Sequence, residues 1–204
     1  LFFHGAGEDG SANNKQLIHG GETHKNAGTS GRFPGFLLYP QNVAGGPEKA
    51  GALIEKLIAR LPVDPNRIYV HGLSNGAKWA WDFLINHPTI PAAVAPMSGI
   101  NSEIMDSTFL FKPLRLAQGG LDTNPDPLYT QEIVDWYNVR GGNLQYFLFP
   151  NLGHGVWNSM YGRSDFFEWF LSKKINTIHV LFTNEICPEN PLVATHGVTP
   201  GYQD

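Results

Sequence analysis

The chain has 204 residues, which is the size of one domain, and 42% of them are hydrophobic, which is enough for a sizeable core. The formal net charge is −4 and no cluster of Lys and Arg is present, so neither nucleic acid nor an anionic membrane is expected as a partner. No apolar run is long enough to cross a bilayer, and the single cysteine, Cys187, cannot form a disulfide within the chain.

Short apolar runs recur along the chain, and each is followed by turn residues. They are apolar throughout instead of alternating with polar residues, which is typical of parallel strands covered on both faces. The runs lie at residues 1–5, 36–40, 67–72, 92–99, 113–120 and 144–150.

Helical patterns follow several of these runs, at residues 47–61, 77–87, 128–142 and 164–174. The alternation predicts an α/β fold for residues 1–174, with an open, mostly parallel sheet of about six strands and helices on both faces. Residues 175–204 have little helical period and are rich in Thr, Pro and Asn. We interpret them as a linker and the start of a truncated strand-rich module, with an ordinary C-terminal tail as the alternative.

Ser74 is the candidate nucleophile, because Gly72-Leu73-Ser74-Asn75-Gly76 is a G-x-S-x-G pattern. The pattern falls between a predicted strand and a predicted helix, where small flanking residues permit a sharp turn that raises the serine above the sheet. Many serines between glycines only cap helices, so the pattern needs support from the other strand ends.

Asp122 and His154 supply that support, because each follows a later predicted strand. The chain order Ser, Asp, His is the order of an α/β-hydrolase triad, and working residues collect at the carboxyl ends of parallel strands. Asp126 is the main rival for the acid and Asp106 is a weaker one. Asp122 is preferred because Asp126 lies between two prolines and farther from the strand.

The loop that follows the first run is the candidate oxyanion loop. One backbone donor for the oxyanion is expected from Asn75, directly after the nucleophile, and the other from Ala6, with Gly5 as the nearby alternative. The same loop also reads G-x-G-x-x-G from Gly5 to Gly10, which is a dinucleotide-binding pattern. Acidic residues inside the loop, a poor crossover helix after it and no acidic residue after the next strand argue against nucleotide binding.

Other polar and aromatic candidates carry weaker signals. His19, Glu22 and His24 match no helical H-E-x-x-H pattern and are placed in a Gly-rich loop, so no metal site is predicted. Trp157 follows His154 by three residues and is a candidate wall of the substrate site, with a packing role as the alternative.

Three stretches, "FFHGAGEDGSANNKQLIHGG", "LPVDPNRIYVHGLSNGAKWAWDFLINHP" and "FPNLGHGVWNSMY", resemble the α/β-hydrolase esterases. The most similar branch contains polyhydroxybutyrate-depolymerase-like, feruloyl-esterase-like and predicted-peptidase proteins, many of them secreted by bacteria. The resemblance covers Leu1 to about Lys174. It implies a Ser74–His154–Asp122 triad, secretion, and one or more strands before Leu1 that this sequence does not contain.

This sequence departs from the pattern of that branch at two places. Asn75 stands where Met is more usual, and Gln118-Gly119 stands where the strand before the acid often ends in His-Gly. The ending "CPENPLVATHGVTPGYQD" is similar to the start of Ig-like modules that follow some secreted enzymes, so a downstream accessory module is expected.

Together these features predict a serine carboxylester hydrolase that forms an acyl-enzyme and uses neither a cofactor nor a metal. The short connection between the runs at 92–99 and 113–120, where many lipases insert a lid, predicts an open site. Such a site suits polymeric esters, such as feruloyl or acetyl esters of polysaccharides, or polyesters. The alternatives are a non-catalytic polymer- or carbohydrate-binding module on the same fold, a serine peptidase and a dinucleotide-binding oxidoreductase.

Overall fold

The computed structural model describes residues 1–41, 46–176 and 201–202. Its main sheet has five parallel strands, and their spatial order is the same as their order along the chain. The strands are β1 (Phe2–Phe3), β2 (Ile68–Leu73), β3 (Pro91–Met97), β4 (Leu114–Gly119) and β5 (Leu144–Phe149). All residues of β2, β3 and β4 are buried, which explains why these runs are apolar throughout.

Helices cover both faces of the sheet, as the sequence predicts. They are α1 (Gly21–Thr29), α2 (Gly46–Ile58), α3 (Asn75–Asn86), α4 (Pro127–Asn138), α5 (Trp157–Tyr161) and α6 (Phe166–Leu171). Right-handed crossovers between successive strands place α2, α3 and α4 on one face, where they share a core with Val70, Val94 and Leu116. On the opposite face, α1, α5 and α6 pack against the alternate strand residues, including Ala93, Ala95 and Ala117.

The predicted strand at residues 36–40 is wrong. This segment runs beside β1, but among the described residues it forms a single backbone hydrogen bond to it, from Phe2 N to Leu38 O at 2.9 Å. Phe36 and Leu37 are 55% and 38% exposed, so the run is not covered on both faces as an interior strand would be. The described sheet therefore has β1 at its edge.

The crossover after the first loop also differs from expectation. Residues of the stretch whose pattern predicts only a poor helix form α1, whose buried residues His24 and Ala27 face the core. Tertiary packing therefore stabilises a segment whose local propensity is weak, since a helix needs only a narrow buried stripe.

The C-terminal prediction falls mostly outside the described residues, which omit 177–200 and 203–204. Within the described part, Ile175–Asn176 pairs antiparallel with Gly201–Tyr202. No helix among the described residues has both the length and the apolarity that a membrane span requires.

Candidate active site

Ser74 lies at a sharp junction between β2 and α3, in a backbone conformation that side chains seldom adopt. Its φ of 55° and ψ of −120° lie outside the usual regions for a residue with a Cβ atom. The flanking glycines permit this junction, because a Cβ on Gly72 would lie 2.2 Å from Gly76 O and a Cβ on Gly76 would lie 2.1 Å from Phe3 O. Both contacts are with backbone atoms, so local packing itself requires the G-x-S-x-G spacing.

The three side chains selected from the sequence form one hydrogen-bonded chain. His154 Nε2 lies 2.7 Å from Ser74 Oγ, and His154 Nδ1 lies 2.9 Å from Asp122 Oδ2. An ionised carboxylate only accepts hydrogen bonds, so Nδ1 carries the proton and Nε2 accepts from the Ser74 hydroxyl. The Asp122 side chain is 2% exposed and the His154 side chain is 39% exposed. A buried acid therefore orients an imidazole that solvent and a substrate can reach.

Gln118 holds the acid in place. Its Nε2 donates to Asp122 Oδ2 at 2.9 Å, and Asn124 N donates to Oδ1 of the same carboxylate at 3.0 Å. The Thr130 hydroxyl in turn donates to Gln118 Oε1 at 3.3 Å, which fixes the orientation of the amide. The sequence marks Gln118 only because Gln118-Gly119 stands where similar esterases often have His-Gly. In this chain the glutamine supplies a hydrogen bond to the acid.

Each rival carboxylate has a local structural role. Asp126 is the N-cap of α4 and accepts from Leu128 N at 2.9 Å. Asp106 caps a single 3₁₀ turn and accepts from Thr108 N at 2.8 Å. Caps of this kind satisfy N–H groups that a helix start leaves free, so neither residue is brought to His154.

Ser98 is a further residue of the site that sequence reasoning missed. It follows β3, has a φ of 51°, and is buried. Its hydroxyl donates to His154 O at 2.7 Å, and its N–H donates to Ala117 O at 2.9 Å. Ser98 therefore ties the histidine loop to the ends of β3 and β4. A lone serine at a strand end has no distinctive sequence signal, so only the long-range contact identifies it.

The loop after β1 forms a tight turn over residues 5–8. Glu8 N donates to Gly5 O at 3.4 Å, and Gly7 has a φ of 82°, the left-handed value that a type II turn requires at this position. A Cβ on Gly5 would lie 2.8 Å from Leu73 Cδ1, so the turn packs against the residue before Ser74.

Two N–H groups without a protein acceptor remain among the described residues at this turn and at the start of α3. Gly5 N already donates to Glu8 Oε2 at 2.6 Å, which argues against Gly5 as the alternative oxyanion donor. Within the described part of the chain, neither Ala6 N nor Asn75 N donates to another protein group. Both residues are exposed, and Asn75 is the first residue of α3, where a helix leaves its N–H groups unpaired.

Trp157 lies beside the candidate histidine. The Trp157 ring is half-buried and lies 5.9 Å from the ring of His154 at 86°, an edge-to-face contact. A second ring contact is with His19, 5.0 Å away at 69°. The indole therefore flanks the imidazole, and its predicted role in binding substrate stays a prediction.

The expectation that His19, Glu22 and His24 share a loop is wrong for two of them, because Glu22 and His24 lie in α1. His24 is buried against His71, with 3.1 Å between their Nε2 atoms. Among the described residues, no group of three or more His, Cys, Asp or Glu is arranged to hold a metal ion.

Comparison of this fold with solved structures gives esterases among the similar proteins. A thermostable esterase matches with a TM-score of 0.65 and 21% identity over 85% of this chain, and the chain spans 54% of that protein. A mutant of the feruloyl esterase module from Clostridium thermocellum, complexed with sinapinate, matches with a TM-score of 0.59 and 15% identity over 88% of this chain and 79% of the other. Esterase PE8 matches with a TM-score of 0.55 and 20% identity, over 82% of this chain and 86% of its own.

These likenesses, with the parallel sheet and its helices, establish that the chain has an α/β-hydrolase fold, as predicted. No protein-family model and no curated protein sequence matches the chain. At these identities the likeness defines the fold, and the activity has to be argued from the site.

Proposed function

We propose that this chain is a serine carboxylester hydrolase. The observation that carries the proposal is the hydrogen-bonded chain from Asp122 through His154 to Ser74, which ends next to an exposed helix start. In the proposed reaction, Ser74 attacks the ester carbonyl while His154 accepts the hydroxyl proton and then gives it to the leaving alcohol. Asp122 keeps the imidazole in the required tautomer and stabilises its cation.

The N–H groups of Ala6 and Asn75 are the proposed donors to the tetrahedral oxyanion. Ala6 and Asn75 are exposed residues whose N–H groups donate to no other protein group within the described part of the chain, and the N-terminal end of α3 adds the positive end of its dipole. Preorganised donors of this kind stabilise charge that develops in the transition state, and losing one costs about 10²–10³-fold in kcat. Water then attacks the acyl-enzyme through the same steps, and the carboxylic acid product is released.

The similar solved structures support the same reaction class, since those with the higher TM-scores are esterases. The chain spans about half of the thermostable esterase. The activity of a longer protein that contains this chain is therefore also a proposal.

We further propose that the substrates are esters on bulky or polymeric chains. The connection from β3 to β4, where a lid would be inserted, contains two single 3₁₀ turns, Ser102–Ile104 and Ser107–Phe109. Ser74 and His154 are half-buried rather than enclosed, so a substrate does not need to enter a tunnel. Feruloyl or acetyl esters of polysaccharides and polyester chains fit this description.

Hydrolysis of p-nitrophenyl acetate by the wild type and by Ser74→Ala tests the reaction class. We expect measurable turnover by the wild type and its loss in Ser74→Ala. Ser102→Ala, which changes an exposed serine in a 3₁₀ turn, is the matched control and should retain full activity. A fluorophosphonate probe should label the wild type at Ser74. Inert, folded wild-type protein would contradict the proposal and favour a binding module.

A substrate panel then tests the finer part of the proposal. It compares p-nitrophenyl esters, methyl ferulate, acetylated xylan, a polyester film and a p-nitroanilide. Preference for the polymeric or aryl esters over short soluble esters is the expected result. Cleavage of the anilide at a rate comparable to the esters would instead indicate a peptidase.

A further inference from the structure

Glu8 is a buried carboxylate within the turn that carries Ala6. Its side chain is 5% exposed, and both of its oxygens have partners. Oε2 accepts from Gly5 N at 2.6 Å, and Oε1 pairs with His19 Nδ1. Burying a carboxylate is costly unless it is paired and hydrogen-bonded, so its presence at this position needs a local explanation.

The hydrogen bonds of Glu8 hold both the N–H and the carbonyl of Gly5. Gly5 N is held by the carboxylate, while Gly5 O accepts from Glu8 N at 3.4 Å and from His4 Nδ1 at 2.9 Å. Gln41 Nε2 donates to Glu8 O at 3.1 Å and anchors the far end of the turn. The next donor along the chain, Ala6 N, has no protein acceptor among the described residues and belongs to an exposed residue at the apex, so its position depends on the two ends that Glu8 holds.

The partner of Glu8 links the turn to the histidine loop. His19 makes the 5.0 Å ring contact with Trp157, and Trp157 makes the 5.9 Å ring contact with His154. A continuous set of contacts therefore runs from the proposed oxyanion donor to the proposed general base. The Glu8 side chain is buried and each of its oxygens has a protein partner, so the carboxylate acts through its neighbours and not on the substrate itself.

We propose that Glu8 and His19 form a positioning pair that sets Ala6 N for the oxyanion and holds Trp157 against His154. The inference rests on the proposed esterase function. A donor that is displaced by about 1 Å loses much of its effect on the transition state while ground-state binding is little affected. The pair should therefore control kcat and leave KM nearly constant.

Kinetics of four variants on p-nitrophenyl acetate test this assignment. Glu8→Ala should lower kcat by about 10²-fold with KM within about twofold of the wild type. Glu8→Gln keeps an oxygen that accepts from Gly5 N and should recover most of that loss. His19→Phe keeps an aromatic ring against Trp157 but releases Glu8, and its loss of kcat should be smaller than that of Glu8→Ala. Glu22→Gln removes a carboxylate whose side chain is 72% exposed, and it should behave as wild type.

Inhibition by an alkyl boronic acid, which forms a tetrahedral adduct on a reactive serine, separates positioning from a general loss of structure. Its inhibition constant should rise across the variants in proportion to the fall in kcat/KM, because the adduct resembles the transition state. The positioning role is overturned if all three variants, Glu8→Ala, Glu8→Gln and His19→Phe, keep the kcat of the wild type, or if they change KM alone. If Glu8→Ala does not fold, the same criterion is applied to Glu8→Gln and His19→Phe. A wild type that hydrolyses no ester overturns the proposed function itself, and the positioning role with it.

Discussion

Asp122 and Asp126 are four positions apart, yet their hydrogen bonds give them different roles. Asp122 is buried and accepts from His154, Gln118 and Asn124, whereas Asp126 accepts from the first turn of the helix that it caps. The hydrogen bonds to Asp122 orient the imidazole. The cap of Asp126 stabilises α4.

Replacement of each acid by Asn should therefore give opposite results. Asp122→Asn should lower kcat by about 10⁴-fold, because an amide that donates to His154 favours the wrong imidazole tautomer. Asp126→Asn should leave kcat unchanged, since Asn is as good an N-cap as Asp. The measurement is the kcat of each variant on p-nitrophenyl acetate, with circular dichroism to establish folding. Loss of activity in Asp126→Asn alone would show that the acid is misassigned.

The limits of sequence reasoning are clearest for the residues that hold this acid and this histidine. Ser74, Asp122 and His154 could be selected because each follows a strand and carries reactive chemistry. Gln118 donates to the acid four positions away in an orientation that Thr130 fixes, and Ser98 donates to His154 O from a distant part of the chain. Neither contact has a local pattern, so the sequence alone did not reveal either role.

At the scale of elements, the sequence predicts best where local pattern and burial agree. The interior strands β2, β3 and β4 are apolar because helices cover them on both faces, and they are where the sequence expects them. The run at 36–40 is equally apolar, but it lies at the edge of the sheet and forms no ladder. Helix α1 shows the converse, since its weak pattern is compensated by burial of His24 and Ala27. In both cases contacts with residues elsewhere in the fold determine the local structure, and the sequence pattern does not show which residues make those contacts.

The junction between β2 and α3 yields a prediction at this scale. Gly76→Ala should destabilise the protein by roughly 1–3 kcal/mol and lower kcat, because the new Cβ meets Phe3 O and must displace the start of α3. Gly28→Ala is the matched control, since Gly28 lies inside α1 and its Cβ would meet Leu37 Cδ1 at an ordinary 3.8 Å. That substitution should stabilise the protein by about 0.5–1 kcal/mol. Urea unfolding measures the free energy of unfolding of both variants, and a destabilisation of equal size in the two would refute the packing argument.

At the scale of the whole molecule, a pair of buried histidines joins α1 to the central sheet. His24 Nδ1 donates to Gly20 O at 2.6 Å, so the neutral ring presents Nε2 as an acceptor to His71 Nε2, 3.1 Å away. The two rings stack at 4.8 Å, and the ring of Tyr161 packs edge-on against His24 at 4.9 Å. Burial lowers the pKa of His24 to about 4, and burial also lowers the pKa of His71 well below its usual value. Both rings are therefore neutral in the folded protein at neutral pH.

This pair should make the fold sensitive to acid. Between pH 6.5 and about 4 the unfolded chain protonates His24 while the folded protein does not, so the unfolded state binds more protons and stability falls as the pH falls. The cost of the pKa shift of His24 is on the order of 3 kcal/mol across that window. His71 adds to it in the same direction.

The slope of unfolding free energy against pH, measured by urea titration between pH 4 and 6.5, checks this prediction. His24→Phe should lower the slope by nearly one proton, about 1.4 kcal/mol per pH unit, even though the variant is less stable overall. Tyr161→Phe removes a hydroxyl from the same cluster without removing a titrating imidazole, and its slope should equal that of the wild type. If His24→Phe and the wild type share one slope, the acid sensitivity does not originate in His24, because the imidazole of His24 is the titrating group that this substitution removes.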